Sequence, residues 1–417
     1  YDSEVDYVFH SLVVGSNAEG IGLERLGTDY NVMMTVSGTR IAPQKQPETP
    51  AGEGYIFRII QTYHPLYVRL QCVSMGTGTS KGVMATPSCC IGDEQGRMIL
   101  SGKLLMDAYS HNTTGNISAP AISAILRGNT INPILCIHSP IWPLTAREWA
   151  FRVRRYVWPS VELKKLILQH GCHVVPKGNP QSPNKHLEWR WSFSLAEKML
   201  IRTFNIIQLQ CYFLLKMIVT YVINPMVLDG LSAYQVKTVM LHMVESTHPA
   251  EWVKEKLAPC FCACLTKLLQ CVEDGSCPHY FIPSLNLFSP KIQGETRIRL
   301  VNVITGLLEK GWQCILQCLP PNMNMLLARH KTQLRCDCYD THWGVERCET
   351  QVSMVERSYT LFNSAIRVIL RLTERSNLQT TIDAMTMFLD YPATKDIVHL
   401  KKKKKKTPMP ALARVFF

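Results

Sequence analysis

A change of hydrophobic periodicity near residue 195 constrains the fold of this chain more than any other feature of its sequence. Before that point, short apolar runs alternate with turn residues: Tyr7 to Val14, Asn31 to Val36, Tyr55 to Ile60, Tyr67 to Val73 and Ile131 to Ile137. Their lengths and their β-branched and aromatic content predict strands. Pro43 to Gly54 reads as a polar loop. From Leu195 onward the periods are helical, and Leu257, Phe261, Leu265, Leu268 and Val272 fall on one helix face. The pattern predicts an α+β lobe over residues 1–194 and an all-helical lobe over 195–390. A basic tail over 391–417 follows, whose composition predicts solvated disorder. No internal repeat of fixed period is present.

The 417 residues, 46% of them hydrophobic, are enough for one large bilobal core or two ordinary domains, so disorder is not the default. The formal charge is +13, but the run Lys401 to Lys406 supplies six of those charges and leaves 39 basic against 32 acidic residues. A mildly basic body admits an anionic partner such as a nucleotide or nucleic acid without requiring one. The lysine run itself reads as a phosphate-binding arm, a solvated tail or a gene-model artefact. The 16 cysteines are dispersed, and Cys211, Cys262 and Cys314 sit inside apolar helical patterns. Reduced thiols and an intracellular, cytoplasmic location are expected, with the nucleus as the alternative. Lys216, Asn224 and Pro225 interrupt the apolar stretch Ile206 to Leu228, which predicts a buried core helix and no membrane span. The chain opens at Tyr1 shortly before its first motif, so a preceding segment is expected.

That motif is Val13-Val14-Gly15-Ser16-Asn17-Ala18-Glu19-Gly20, where a strand runs into a glycine-bounded turn. Backbone amides and a serine hydroxyl in such a turn can cradle a phosphate. Downstream, Gly27-Thr28-Asp29-Tyr30-Asn31-Val32-Met33 places residues 29 and 31 on one face of a strand. Two carboxylates at that spacing, with a third from a neighbouring strand, hold the two cations of a nucleotide-transfer centre.

With these two motifs the chain resembles the Mab-twenty-one and cyclic GMP-AMP synthase family. Further blocks carry the resemblance in order: Trp142-Pro143, Ala146 to Trp149, Trp158-Pro159-Ser160, Cys172 to Pro176 and Glu188 to Lys198. Leu231 to Thr238 and His279 to Phe288 continue it. The resemblance implies a nucleotidyltransferase sheet packed on a helical, HhH/H2TH-like lobe with the active cleft between them. Gly15 and Ser16 would contact the triphosphate of ATP or GTP, and Asp29 would hold Mg2+ or Mn2+. Arg190, Ser192, Ser194, Lys216 and Tyr234 match positions lining the nucleotide pocket. Arg190 and Lys216 suit phosphate, and Tyr234 suits stacking on a base. Each also has a plain structural reading: Arg190 paired with Glu197 on the surface, Lys216 snorkelling from a core helix, and Tyr234 packing.

The chain departs from the family pattern at the catalytic positions Asp29, Asn31 and Asn132. The second is an amide, and spacing back from Trp142 points to Asn132 as the third. One carboxylate facing hard cations predicts impaired catalysis with nucleotide binding retained. The zinc insertion of the DNA-sensing relative, expected after the helix that begins at Glu197, is absent, so no zinc is expected. Cys260, Cys262 and Cys264 lie at steps of about 200° around a helix and cannot share one ion. Cys336, Cys338, His342 and Cys348 fit no zinc spacing. Arg147, Arg152, Arg154, Arg155, Lys164 and Lys165 read equally as a cationic face for double-stranded RNA, recognised by shape and backbone, or as a solvated helix face. Two functions remain open: an innate-sensor-like receptor making a cyclic dinucleotide, or a non-catalytic scaffold of the same fold.

Overall fold

The computed structural model describes residues 11–16, 18–19, 29–36, 38–42, 54–75, 87–112, 124–126, 129–227 and 230–318. The poly-lysine run and the group Cys336, Cys338, His342 and Cys348 lie outside the described residues. The predicted strands form one mixed sheet. β1 (Ser11–Val14) pairs antiparallel with β2 (Asp29–Thr35), and β3 (Thr39–Ile41) pairs parallel with β4 (Tyr55–Gln61). β5 (Tyr67–Ser74), β6 (Cys90–Gly92) and β7 (Met98–Leu100) extend that side, and α1 (Gly102–Asn112) follows. β8 (Ala124–Leu126) leads into the long β9 (Asn129–Ser139), which runs parallel to β2.

After α2 (Arg147–Phe151) and α3 (Val161–His170), the strands β10 (Cys172–Val175) and β11 (Trp189–Ser192) close the order β1-β2-β9-β10-β11-β5-β4-β3. Ser160 caps α3 by accepting from the Leu163 amide. Along β11 the strand period sends Trp189 and Trp191 into the core, 0% and 2% exposed, and turns Arg190 and Ser192 to the other face. Pro133 fits within β9 because β8 pairs at Asn129–Ile131 and β10 at Ile137–Ser139, on either side of it. A proline there removes no ladder donor on that edge.

From Ser194 the chain is helical. α4 (Ser194–Ile201) leads to α5 (Ile206–Ile218), which starts with a reciprocal cap between Asn205 and Gln208. α5 passes through a π turn, Val219–Ile223, into the short α6 (Asn224–Met226). α7 (Ala233–Ser246) opens with the same cap, Ser232 with Gln235, and α8 (Leu257–Glu273) and α9 (Gly294–Glu309) complete the lobe. Among the described residues one helix, Ile206–Met226, is long and apolar enough to cross a membrane, but most of it is buried. Cys211, Leu215, Ile218 and Ile223 belong to the lobe's own core. The α8 face read from sequence is buried throughout.

Cys260, Cys262 and Cys264 separate as helix geometry requires. Cys260 reaches the Glu251 carbonyl and Cys264 the Met240 sulfur, while Cys262 is half-exposed.

Aromatic rings and a charged node join the two halves. Phe193 stacks on Phe281 at 4.6 Å, and Trp142 and Trp149 pack edge-on or tilted against Phe281. Glu245 on α7 accepts hydrogen bonds from Arg152 (2.7 Å), Arg154 (3.0 Å) and the Tyr280 hydroxyl (2.6 Å). This corrects the expected six-cation RNA face. After α2 the exposure of successive residues alternates, with Phe151, Val153, Arg155 and Val157 outward and Arg152 and Arg154 inward. The inward pair also lies over the Tyr280 and Trp149 rings.

Candidate functional site

Gly15 ends β1 with φ +83°, and the Glu19 amide returns to the Gly15 carbonyl at 3.1 Å, closing a tight turn that contains Ser16. Two constraints require glycine here. The backbone is left-handed, and a Cβ would stand 3.1 Å from Asn31 Nδ2. The register places Val14 opposite Asn31 on β2, and Asn31 opposite Asn132 on β9. Both amides are half-buried. The turn therefore adjoins Asn31, Asn132 lies one strand further on, and Asp29 occupies the β2 position two residues before Asn31.

The donor set fits a two-cation centre poorly. Amides at positions 31 and 132 offer dipoles where hard divalent ions prefer anionic oxygen. With Asp29 as the single carboxylate of the three positions, two cations would be under-compensated. Among the described residues, no cluster of three or more histidine, cysteine or carboxylate side chains assembles.

Behind the turn lies an ionic node that sequence reading missed. Lys237 Nζ on α7 sits 2.7 Å from Glu19 Oε1 and 2.8 Å from Glu197 Oε2 on α4. All three side chains are buried, with Lys237 8% exposed. Burial works against the Lys237 charge, but Glu197 and Glu19 outweigh it and hold its ammonium well above the ordinary lysine range. Burial raises the Glu19 carboxyl despite the opposing Lys237. The Arg190–Glu197 surface pair considered from sequence is thus replaced by a buried Lys237–Glu197 contact. The residue separations, 218 for Glu19–Lys237 and 40 for Glu197–Lys237, left no periodic signal. The available hint was that Glu19, Glu197 and Lys237 each stand within a motif that carries the family resemblance.

Two of the predicted pocket residues, Lys216 and Tyr234, lie within electrostatic reach of this node. Lys216, buried on α5, is lowered to about 8 by burial, with Glu19 opposing the shift. Lys198 on α4 donates to the Val13 carbonyl at 2.9 Å, directly before the turn, and burial takes it to about 7. Tyr234, at the start of α7, has its hydroxyl 2.9 Å from His279 Nε2. His279 Nδ1 accepts from the Phe281 and Ile282 amides, so the neutral ring carries its proton on Nε2 and donates it to Tyr234. Burial keeps His279 neutral, at about 4. Burial and then Glu197 raise the Tyr234 phenol, while Arg190 acts in the opposite sense. Ser192 and Ser194 hydroxyls are 3.0 Å apart, and Ser192 Oγ is 3.9 Å from Met33 Sδ. Met33 follows Asn31 by one strand period, so these serines adjoin the Asn31 face.

Comparison with known proteins bears on the same regions. A sequence model of the Mab-21 protein nucleotidyltransferase domain matches residues 129–203, and that of the Mab-21 protein HhH/H2TH-like domain matches 208–306. Asn132, Arg190, Ser192 and Ser194 lie in the first segment, and Lys216, Tyr234 and Lys237 in the second. The chain is 25% identical over 193 residues to a mouse protein named cyclic GMP-AMP synthase, covering 42% of this chain and 38% of that one. It is 29% identical over 160 residues to the mab-21-like protein of Aedes aegypti, covering 36% and 42%. It is 30% identical over 178 residues to a cyclic GMP-AMP synthase-like receptor of Magallana gigas, covering 40% and 29%. The chain spans less than half the length of each of these relatives.

Proposed function

The chain belongs to the Mab-21 family of nucleotidyltransferase-fold proteins, and on that premise we propose that it binds ATP or GTP between its sheet and its helical lobe with little or no turnover. The observation that carries this reading is the Gly15–Ser16 turn packed against Asn31, with Asn132 opposite Asn31 on the next strand, two amides at positions where the family resemblance expects carboxylates. A phosphate needs the turn, Arg190 and Lys216, none of which depends on the missing carboxylates. Phosphoryl chemistry needs the compensated cations that two amides do not supply. The nucleotide base would lie against Tyr234, whose ring is held by His279. Ser192 and Ser194 offer hydroxyls from the β11–α4 junction. Divalent metal would then assist binding weakly and through the nucleotide's own phosphates. The free thiols among the described cysteines fit the cytoplasmic setting proposed for it.

A crystal structure of the chain soaked with ATP and manganese tests the reading. The expected result is a triphosphate against Ser16 without a pair of cations beside Asp29. Two ordered cations in line with the α-phosphate would instead make the chain a competent cyclic-dinucleotide synthase. An empty cleft would leave the non-catalytic scaffold as the function.

A further inference from the structure

We propose that Lys237 is the positioning residue that sets the Gly15–Ser16 turn against the helical lobe, acting through Glu19 on the turn and Glu197 on α4. The proposal rests on the nucleotide reading above only for its effect on binding. Glu19 closes the same turn that carries Ser16, through its amide to the Gly15 carbonyl. Its side chain is 1% exposed, and Oε2 is buried without a hydrogen-bond partner. Among the described residues, the contact of Oε1 with Lys237, at 2.7 Å, is the carboxylate's one hydrogen bond and its tie to α7. Lys237 in turn is fixed by Glu197, so one ammonium joins a sheet turn and two helices of the other lobe. A buried ion group of this kind is weak as a source of stability but strong as a specifier of geometry, because its charges have nowhere else to go. The geometry it specifies is the distance between the Ser16 turn and the α5 and α7 residues that would meet the rest of the nucleotide, Lys216 and Tyr234.

Lys237→Met would strand two buried carboxylates and is expected to unfold the chain, so Glu19→Leu is the informative variant. It cuts the tie to the turn while leaving Lys237 paired with Glu197. Two readings are taken on the full chain. The first is the ratio of ATP to adenosine affinity by equilibrium dialysis. Glu19→Leu is expected to lower that ratio about tenfold, the size of one lost charge-assisted phosphate contact, with adenosine binding unchanged. Lys237→Arg, which can still reach both carboxylates, should keep the wild-type ratio. A purely structural role would weaken ATP and adenosine alike. The second is hydrogen exchange of the backbone amide at position 19, expected to quicken by about tenfold in Glu19→Leu and not in Lys237→Arg. An unchanged ratio, or unchanged exchange, overturns the proposal. If the wild-type chain binds no nucleotide, the reading of the cleft fails, and the exchange rates alone decide whether Lys237 holds the turn.

Discussion

Replacing Gly15 with alanine probes the turn on which the candidate site is built. Two effects oppose one another. At φ +83° an L-residue is strained by about 1–2 kcal/mol. The new Cβ would also stand 3.1 Å from Asn31 Nδ2, so the amide must shift by a few tenths of an ångström. Against this, alanine restricts the unfolded chain and returns about 0.4–1 kcal/mol. The net expectation is a loss of about 1 kcal/mol. It should appear in guanidinium unfolding followed by circular dichroism as a lower midpoint with an unchanged slope. Adding Asn31→Ala removes the close neighbour and leaves the positive φ, so it should recover part of the loss and not all of it. A Gly15→Ala chain as stable as the parent, or more stable, would refute the reasoning. That is the behaviour of a glycine with ordinary negative φ.

The site's charges predict a pH dependence. Lys216, lowered to about 8 by burial, is cationic below that pH and neutral above it, so ATP affinity should fall as pH rises through about 8. Lys216→Met should flatten the profile, which isothermal titration would read, and a profile that is flat in the parent contradicts the assignment. Changing Asn31→Asp together with Asn132→Asp should confer divalent-cation binding, visible as loss of free Mn2+ signal in electron paramagnetic resonance; no gain would place the third ligand elsewhere. The RNA reading keeps Arg147, Arg155, Lys164 and Lys165 after Arg152 and Arg154 turn inward. A chain ending before Lys401 should therefore retain double-stranded RNA only weakly, with affinity falling steeply as salt rises. Binding that vanishes with the lysine run would assign it to the tail.

The architecture was legible because its signals are local. Strand-length apolar runs, the α8 face and the change of period at residue 195 each depend on near neighbours. Spacing back from Trp142 pointed to Asn132 alone, and its place opposite Asn31 needs the parallel register of β2 and β9. What escaped depends on distant partners. Lys237 and Glu19 look like solvated charges in one dimension, and their burial follows only once α7 packs behind the first turn. His279 was quoted in a motif without a role, because its hold on Tyr234 needs two backbone amides from the following residues and a partner 45 positions away. Arg152 and Arg154 were misread for a related reason. A run of arginines reads as a cationic surface unless alternate members turn inward toward a half-buried acid, here Glu245.

Equilibrium dialysis of the full chain against labelled ATP, with and without magnesium, tests the central claim most directly when the retentate is also analysed for cyclic dinucleotide. Saturable binding in both conditions, abolished by Ser16 and Arg190 substitution and accompanied by no product, is the predicted result. No saturable binding in either condition, or steady product formation with magnesium, would contradict it.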